Sequence, residues 1–187
     1  MSDTPQATEL IVLLDENHNE IGTAPKLASH HAHTPLHKAF SCYVFNDRAE
    51  LLVTQRALSK KVWPGVWTNS VCGHPAPGES YEDAIVRRAT YELGMELADI
   101  TLILPQYQYT TPPFQGIIEN EFCPVFAARP VSGPQPNPEE VEAFKWMAWD
   151  DYVNELLTNP DPYSYWAKDQ LSPLSDNSVF KQFTTIG

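Results

Sequence analysis

Strand-like patterns dominate the chain. ELIVLLDENHNEIGT places apolar runs on either side of an Asp/Asn-rich turn, which predicts a β-hairpin. KAFSCYVFNDRAELLVTQRAL has two longer β-rich runs about NDRAE and predicts a second hairpin. Between them, the basic, histidine-rich stretch from Lys26 to His37 is weakly periodic and fits a helix followed by a loop before Pro35. SKKVWPGVWT reads as a loop, and TNSVCGH as a short strand. Ser80 followed by Asp83 resembles a capping box, predicting a helix from Tyr81 to Leu93 with Gly94 as its left-handed stop. DITLILPQYQYTT and GIIENEFCPVFAARP are expected to pair across a proline-containing loop, with Pro124 absorbed at a sheet edge. The proline-rich VSGPQPNPEE follows, then FKWMAW as a strand and WDDYVNELLTN as a helix capped by an Asp. The tail beyond Pro160 has no clear pattern, and no internal repeat is present.

Mixed strands and helices over 187 residues predict a single compact α+β domain, with residues 1–8 as a flexible leader and a core over about 26–166. The formal charge of -12 disfavours nucleic-acid phosphates and anionic membrane surfaces as partners. A small anionic substrate remains compatible, because a few clustered cations and a bound metal override the global charge locally. Cys42, Cys72 and Cys123 cannot all pair and are too few for a disulfide-stapled scaffold, which favours the cytoplasm. MSDTPQATEL lacks the basic start and apolar run of a signal peptide, and no apolar stretch approaches the roughly 20 residues of a membrane span. The expected protein is a cytoplasmic monomer or homodimer.

The densest chemical signal is GHPAPGESYEDAIVRRATYELGM. Its Gly73, Glu79, Arg87, Glu92 and Gly94 match the spacing of the Nudix loop-helix-loop pattern, in which helical spacing turns a carboxylate toward a magnesium-bound diphosphate. Arg88 and Tyr91 stand where Nudix hydrolases carry two further glutamates, so much of the water-activating cluster is missing. Arg88 and Glu92, four apart on one helical face, suit holding a magnesium diphosphate rather than cleaving it. Cys72 and His74 are two apart on a strand, as are Glu119 and Glu121, so each pair shares a face. With His30 and His37 they form a set of imidazoles and carboxylates suited to Mg²⁺, Mn²⁺ or Zn²⁺.

LHKAFSCYVFN, LLVTQRALSKKVWPGVWTNSVCGHPAPGES and ENEFCPVFAAR resemble the type I isopentenyl diphosphate isomerases, over about Lys26 to Trp166. That resemblance implies a Nudix-like mixed sheet sandwiched between helices, and conversion of isopentenyl diphosphate to dimethylallyl diphosphate in isoprenoid biosynthesis. It implies Cys72 and Glu121 as catalytic groups and His30, His37, His74, Glu119 and Glu121 as ligands of a divalent metal. Glu92, with the backbone carbonyl of Cys72, would hold Mg²⁺ on the diphosphate, and Lys26, Arg56, Lys60 and Arg88 would bind the diphosphate itself. Such a reaction needs an acid and a base on opposite faces of the alkene, passing through a carbocation-like state. Tyr109 is placed to relay a proton to or from Glu121, and Trp166 matches an aromatic set over the cation.

Blander readings stand beside these. Cys42 and Cys123 read as small buried hydrophobes, His18 as a solvated turn residue, and Trp63, Trp67, Trp146 and Trp149 as core. Lys60 and Lys61 would ordinarily be a solvated face. Only one of His30, His31 and His33 is needed as a ligand; the resemblance favours His30, whereas helical spacing from His37 favours His33. The competing functions are a Nudix pyrophosphohydrolase of a nucleoside diphosphate derivative and a non-catalytic diphosphate- or metal-binding module.

Overall fold

The computed structural model describes residues 9–186, so the leader expected over 1–8 lies outside the described residues. In chain order the elements are β1 (Leu10–Leu14), β2 (Glu20–Pro25), α1 (Lys26–Ser29), β3 (His37–Lys38), β4 (Phe40–Val44), β5 (Glu50–Arg56), β6 (Trp67–Thr68), β7 (Val71–Gly73) and α2 (Tyr81–Leu93). There follow β8 (Leu97–Leu104), β9 (Gln108–Thr110), β10 (Asn120–Phe122), β11 (Val125–Pro130), β12 (Val141–Ala148), α3 (Trp149–Thr158), α4 (Tyr165–Asp169), α5 (Leu171–Asp176) and α6 (Lys181–Thr184). Among these, no helix is long and apolar enough to cross a membrane.

A mixed sheet of order β7-β4-β11-β8 lies at the centre, with β4 and β11 parallel and the outer pairs antiparallel. Both faces of β4 are covered, which explains why FSCYV is buried throughout instead of alternating with polar residues. Phe40, Cys42 and Val44 pack toward Ala84, Ile85, Ala89 and Leu93 of α2. Tyr43 and Phe45 face the other way, onto Trp149 and Tyr152 of α3 and Leu174, Phe180 and Phe183 of the C-terminal segment. This is the expected sheet between helices. Each fully buried Phe or Leu contributes roughly 1.5–3 kcal/mol relative to leaving it exposed.

Two further sheets flank the centre, β2-β1-β3-β10-β9 and β12-β5-β6. The first hairpin forms as expected, with β1 antiparallel to β2. The second closes only at its turn, where Phe45 bridges Leu51 antiparallel and Asn46 N–H donates to Glu50 O at 3.0 Å, after which β4 and β5 enter different sheets. Each finds a longer partner elsewhere, β4 in β11 and β5 in β12.

Pro124 also departs from expectation. It sits between β10 and β11 where the chain passes from one sheet to the next, and β11 is an interior strand. The adjacent ribbon makes the same passage at Ala39, whose N–H donates to Phe122 O at 2.9 Å, while Ser41 N–H donates to Pro124 O at 3.2 Å. A missing N–H costs no ladder bond at such a switch.

Helix α2 forms between the expected residues. Ser80 Oγ accepts from the Asp83 N–H at 3.1 Å, and Gly94 closes the helix at φ 59° with its N–H on Thr90 O at 3.0 Å. Helix α3, in contrast, has Ala148 at its N-cap and no side-chain cap; Asp150 and Asp151 lie inside its first turn, where they suit the helix dipole. The tail folds into α4, α5 and α6 against the central sheet.

A Cβ on Gly94 would meet Gln135 O at 2.8 Å in addition to the strain of a positive φ. Gly94→Ala should therefore cost about 2 kcal/mol, lowering the melting temperature by about 4–8 °C. A change below about 0.5 kcal/mol in urea unfolding would contradict this account of the helix stop.

Candidate active site

Strand register builds the first part of the site. Glu121 in β10 lies opposite His37 of β3 in the parallel ladder and opposite Tyr109 of β9 in the antiparallel one, so the three side chains share one row. Tyr109 Oη donates to Glu121 Oε2 at 2.7 Å; Glu121 Oε1 lies 3.0 Å from His74 Nε2 and 3.6 Å from His37 Nε2. His30 Nε2 stands 3.1 Å from Glu119 Oε2, and His37 Nε2 is 3.2 Å from His74 Nε2. Glu119, Glu121 and His37 are all buried.

His30 Nδ1 is 2.6 Å from Lys26 O and His37 Nδ1 is 2.9 Å from Pro35 O. A carbonyl can only accept, so both rings carry hydrogen on Nδ1 and turn Nε2 lone pairs inward. Burial would raise the Glu121 carboxyl, but its close contacts with the His37 and His74 rings outweigh burial and hold the group well below the usual carboxylate range. Burial and the Lys26 charge depress His74 to about 3, and the Tyr109 phenol is raised well above its usual range, first by burial and then by Glu121. His30 opposes burial with the Glu119 carboxylate and is raised.

Two donor groups, His30 with His37 and His74, and His37 with Glu119 and Glu121, each converge within 4.8 Å. Glu119 Oε2 is buried without a hydrogen-bond donor of good geometry. Inward lone pairs facing carboxylates in this way fit a divalent cation of the Mg²⁺, Mn²⁺ or Zn²⁺ type. Of the clustered histidines it is His30 that joins; His31 and His33 are exposed and face each other at 6.5 Å. Helical spacing from His37 misled because α1 ends at Ser29.

Cys72 approaches the same space from β7, paired with Ser41 of β4. Its Sγ donates to Asn69 Oδ1 at 3.0 Å and lies 3.7 Å from Ser41 Oγ. Asn69 is fully buried, with its amide N–H groups committed to Cys42 O and Val71 O, so Oδ1 is held toward the thiol. Burial pushes the Cys72 thiol up to about 12, against weaker opposing hydrogen bonds from Ser41 and Asn69. Around it gather Ala39, Tyr109, Cys123 and Trp166, with Trp63 packed against them. Trp166 Nε1 donates to Thr68 Oγ1 at 2.8 Å, and its ring centre is 6.3 Å from that of Tyr109 and 6.1 Å from that of Trp63. Cys42 and Cys123 are buried as expected.

Trp63 packs partly buried against the cluster that Cys72 also touches, Trp149 is core with Trp67 packed partly buried against the same cluster, and Trp146 packs partly buried against the cluster under α2. His18 lies in the β1–β2 turn as expected, where it also stacks on Phe122 at 3.9 Å and reaches Gln108 Oε1 at 2.8 Å.

Of the four cations, Arg56 lines a narrow cleft with Asn69, Cys72, Glu92 and Glu140. Arg88 contacts Glu92 and Glu140, Lys60 contacts Glu140, and Lys26 contacts Glu9. Arg56 donates to Trp63 O and Val62 O. Outside the cleft, Arg87 forms a bidentate pair with Glu79 and donates to His74 O at 3.1 Å, which pins the loop behind that histidine. Sequence reasoning missed Asn69, Trp63 and Glu140. An Asn inside the apolar run TNSVCGH was a usable signal; Glu140, in a proline-rich loop, gave none.

A NUDIX domain is matched over residues 35–168. The chain is 50% identical over 163 residues to an isopentenyl-diphosphate Delta-isomerase of Kocuria rhizophila, covering 87% of this chain and 91% of that one. It is 51% identical over 164 residues to the enzyme of the same name from Salmonella heidelberg, covering 88% and 91%. Among solved structures, a Deinococcus radiodurans protein superposes with a TM-score of 0.69 at 20% identity, over 88% of this chain and 98% of that one. A MutT NUDIX hydrolase from Burkholderia pseudomallei gives 0.55 at 23% identity, over 74% and 97%. At those identities the two structures establish the fold alone.

If the converging histidines and glutamates hold an ion, Mn²⁺ titrated into the protein should raise its melting temperature. His37→Ala removes the member common to both donor groups and should erase most of that rise. Equal rises in both proteins would exclude the cluster as the binding site.

Proposed function

The chain belongs to the isopentenyl-diphosphate Delta-isomerase family and holds a NUDIX domain, and on that premise we propose that it converts isopentenyl diphosphate to dimethylallyl diphosphate with Cys72 and Glu121 as its proton-transfer groups. What supports this reading is that Cys72 packs against the cluster of Tyr109 and Trp166, and the hydroxyl of Tyr109 donates to Glu121 Oε2 at 2.7 Å.

The reaction forms a C–H bond at one end of the allylic unit and breaks one at the other, so it consumes no net proton. One of the pair delivers a proton to one face of the alkene and the other removes a proton from the opposite face. Each passage exchanges their protonation states, and Tyr109, hydrogen-bonded to Glu121, is the proposed relay that resets it. Between the two transfers the substrate is cationic at a tertiary carbon. The face of Trp166 stabilises that charge by roughly 0.5–2 kcal/mol, and the aromatic wall keeps out water that would trap it as an alcohol.

Lys26, Arg56, Lys60 and Arg88 are the proposed diphosphate ligands. His30, His37, His74, Glu119 and Glu121 would hold a divalent ion, Mn²⁺, Mg²⁺ or Zn²⁺, whose charge tunes the Glu121 carboxyl, and Glu92 with the Cys72 carbonyl would hold Mg²⁺ on the diphosphate. The acidic charge and small substrate fit a cytoplasmic monomer or homodimer without nucleic-acid or membrane partners. A hydrolase reading draws on the fold alone, and Arg88 and Tyr91 in place of further glutamates weigh against it.

Purified protein with Mg²⁺ in deuterated water should turn over isopentenyl diphosphate, place solvent label in the new methyl group, and stop on EDTA treatment. Cys72→Ala should lower kcat by about 10³-fold while leaving pyrophosphate binding nearly intact. Undiminished turnover in that variant would remove Cys72 from the chemistry, and sustained phosphate release from a nucleotide would establish a hydrolase instead.

A further inference from the structure

Lys60 and Arg88 reach the cleft beside Cys72 from different places, the loop after β5 and the middle of α2, yet both end on one oxygen. Glu140 Oε2 lies 2.6 Å from Lys60 Nζ and 3.1 Å from Arg88 Nη2. The three side chains are only 25%, 11% and 13% exposed for Lys60, Arg88 and Glu140. Glu140 is fixed by its backbone: its N–H donates to Asn137 O, its carbonyl accepts from Ala57 N–H, and Asn137 N–H donates to Glu92 O. The proline-rich loop is thereby tied to both the end of α2 and the cation-bearing loop. Lys26, a third cation of the set, is held in the same manner by Glu9 at 2.9 Å. The cleft behind Glu140 has a volume of about 10 Å³, room for about one water and far too little for a diphosphate.

We propose that Glu140 is a positioning residue that stands in for the substrate's diphosphate: before substrate binds, its carboxylate gathers Lys60 and Arg88 onto one anionic point, and the incoming diphosphate displaces it. This rests on the reading that Lys60 and Arg88 receive the diphosphate. Arg88 is also held by Glu92 Oε1, 2.8 Å from its Nε, but Lys60 has Glu140 as its one carboxylate partner among the described residues, and without that carboxylate Arg88 would repel it. Glu140 keeps them at a separation from which both donate to one anion, so their ordering is complete before substrate arrives. It also sets a selectivity filter. An anion with one or two charged oxygens gains little by replacing a carboxylate already in place, whereas a diphosphate brings more charge and more acceptors than Glu140 can offer.

The test is calorimetric titration of inorganic pyrophosphate, in EDTA, into the full chain and its variants, with melting curves as a folding control. Glu140→Gln keeps shape and removes charge, and should bind pyrophosphate about tenfold more tightly than the parent. Glu140→Ala, a second neutral variant, should show the same gain, and Glu140→Asp should stay within about twofold of the parent because the charge is retained. Lys60→Ala added to Glu140→Gln should cancel the gain. Equal or weaker binding by the neutral variants, or no binding by any protein, overturns the proposal; a purely structural Glu140 would lower the melting temperature without tightening the anion. The parent reading is checked separately by the KM for isopentenyl diphosphate in Lys60→Ala and Arg88→Ala. Unchanged KM would remove these cations from the diphosphate site, whereas raised KM without a gain in Glu140→Gln would overturn the stand-in role alone.

Discussion

The row Tyr109, Glu121, His37 across three adjacent strands is the constraint on which the rest of the site depends. A slip of one residue in β10 would swing Glu121 to the opposite face and bring Asn120 or Phe122 into its place. Every other element of the cluster is anchored to that row. The carbonyls of Lys26 and Pro35 set the rings of His30 and His37, and Arg87 with Glu79 steadies the loop that carries His74. The mixed sheet holds β4 and β7 beside it, so that Ser41 and Cys72 arrive at a matching height.

Burial of so many ionisable groups is tolerated because they are set against one another. Glu121 is surrounded by two imidazoles and a phenol, and Arg88 by two carboxylates. Replacing one partner would leave an uncompensated buried charge, which is costlier than the pair is stabilising. Cys72 is treated differently. It sits among aromatic rings with an amide oxygen for company, where an S–H is easily accommodated and a bare charge is not.

What could be read from the chain was what is decided locally. Ser80, Asp83 and Gly94 specify helix α2 through contacts within a few residues, and both ends fall where those residues put them. Alternation likewise located most strands. Partner choice is decided by distant segments, which is why the β4–β5 hairpin extends no further than its turn and Pro124 lies at a switch between sheets instead of at an edge. The site was legible where chemistry is rare, as with Cys72, His74, Glu119 and Glu121, whose spacing is informative in itself. His30 could be separated from His33 only by knowing where α1 ends, and Glu140 enters through a loop whose path no local rule fixes.

The matched domain stops at residue 168, but the fold does not. Phe180 is fully buried against Tyr43, Phe45 and Trp149, Phe183 is nearly so against Phe45, and Gln170 bonds Tyr43 Oη and Ser41 Oγ on the strand that flanks Cys72. The last stretch of chain is thus a cork seated in the central sheet. A gene trimmed to the domain boundary would encode a protein missing two aromatic side chains worth roughly 1.5–3 kcal/mol each, out of a total stability of roughly 5–15 kcal/mol. Expression work, domain grafting and the delimitation of relatives from sequence should all include the cork.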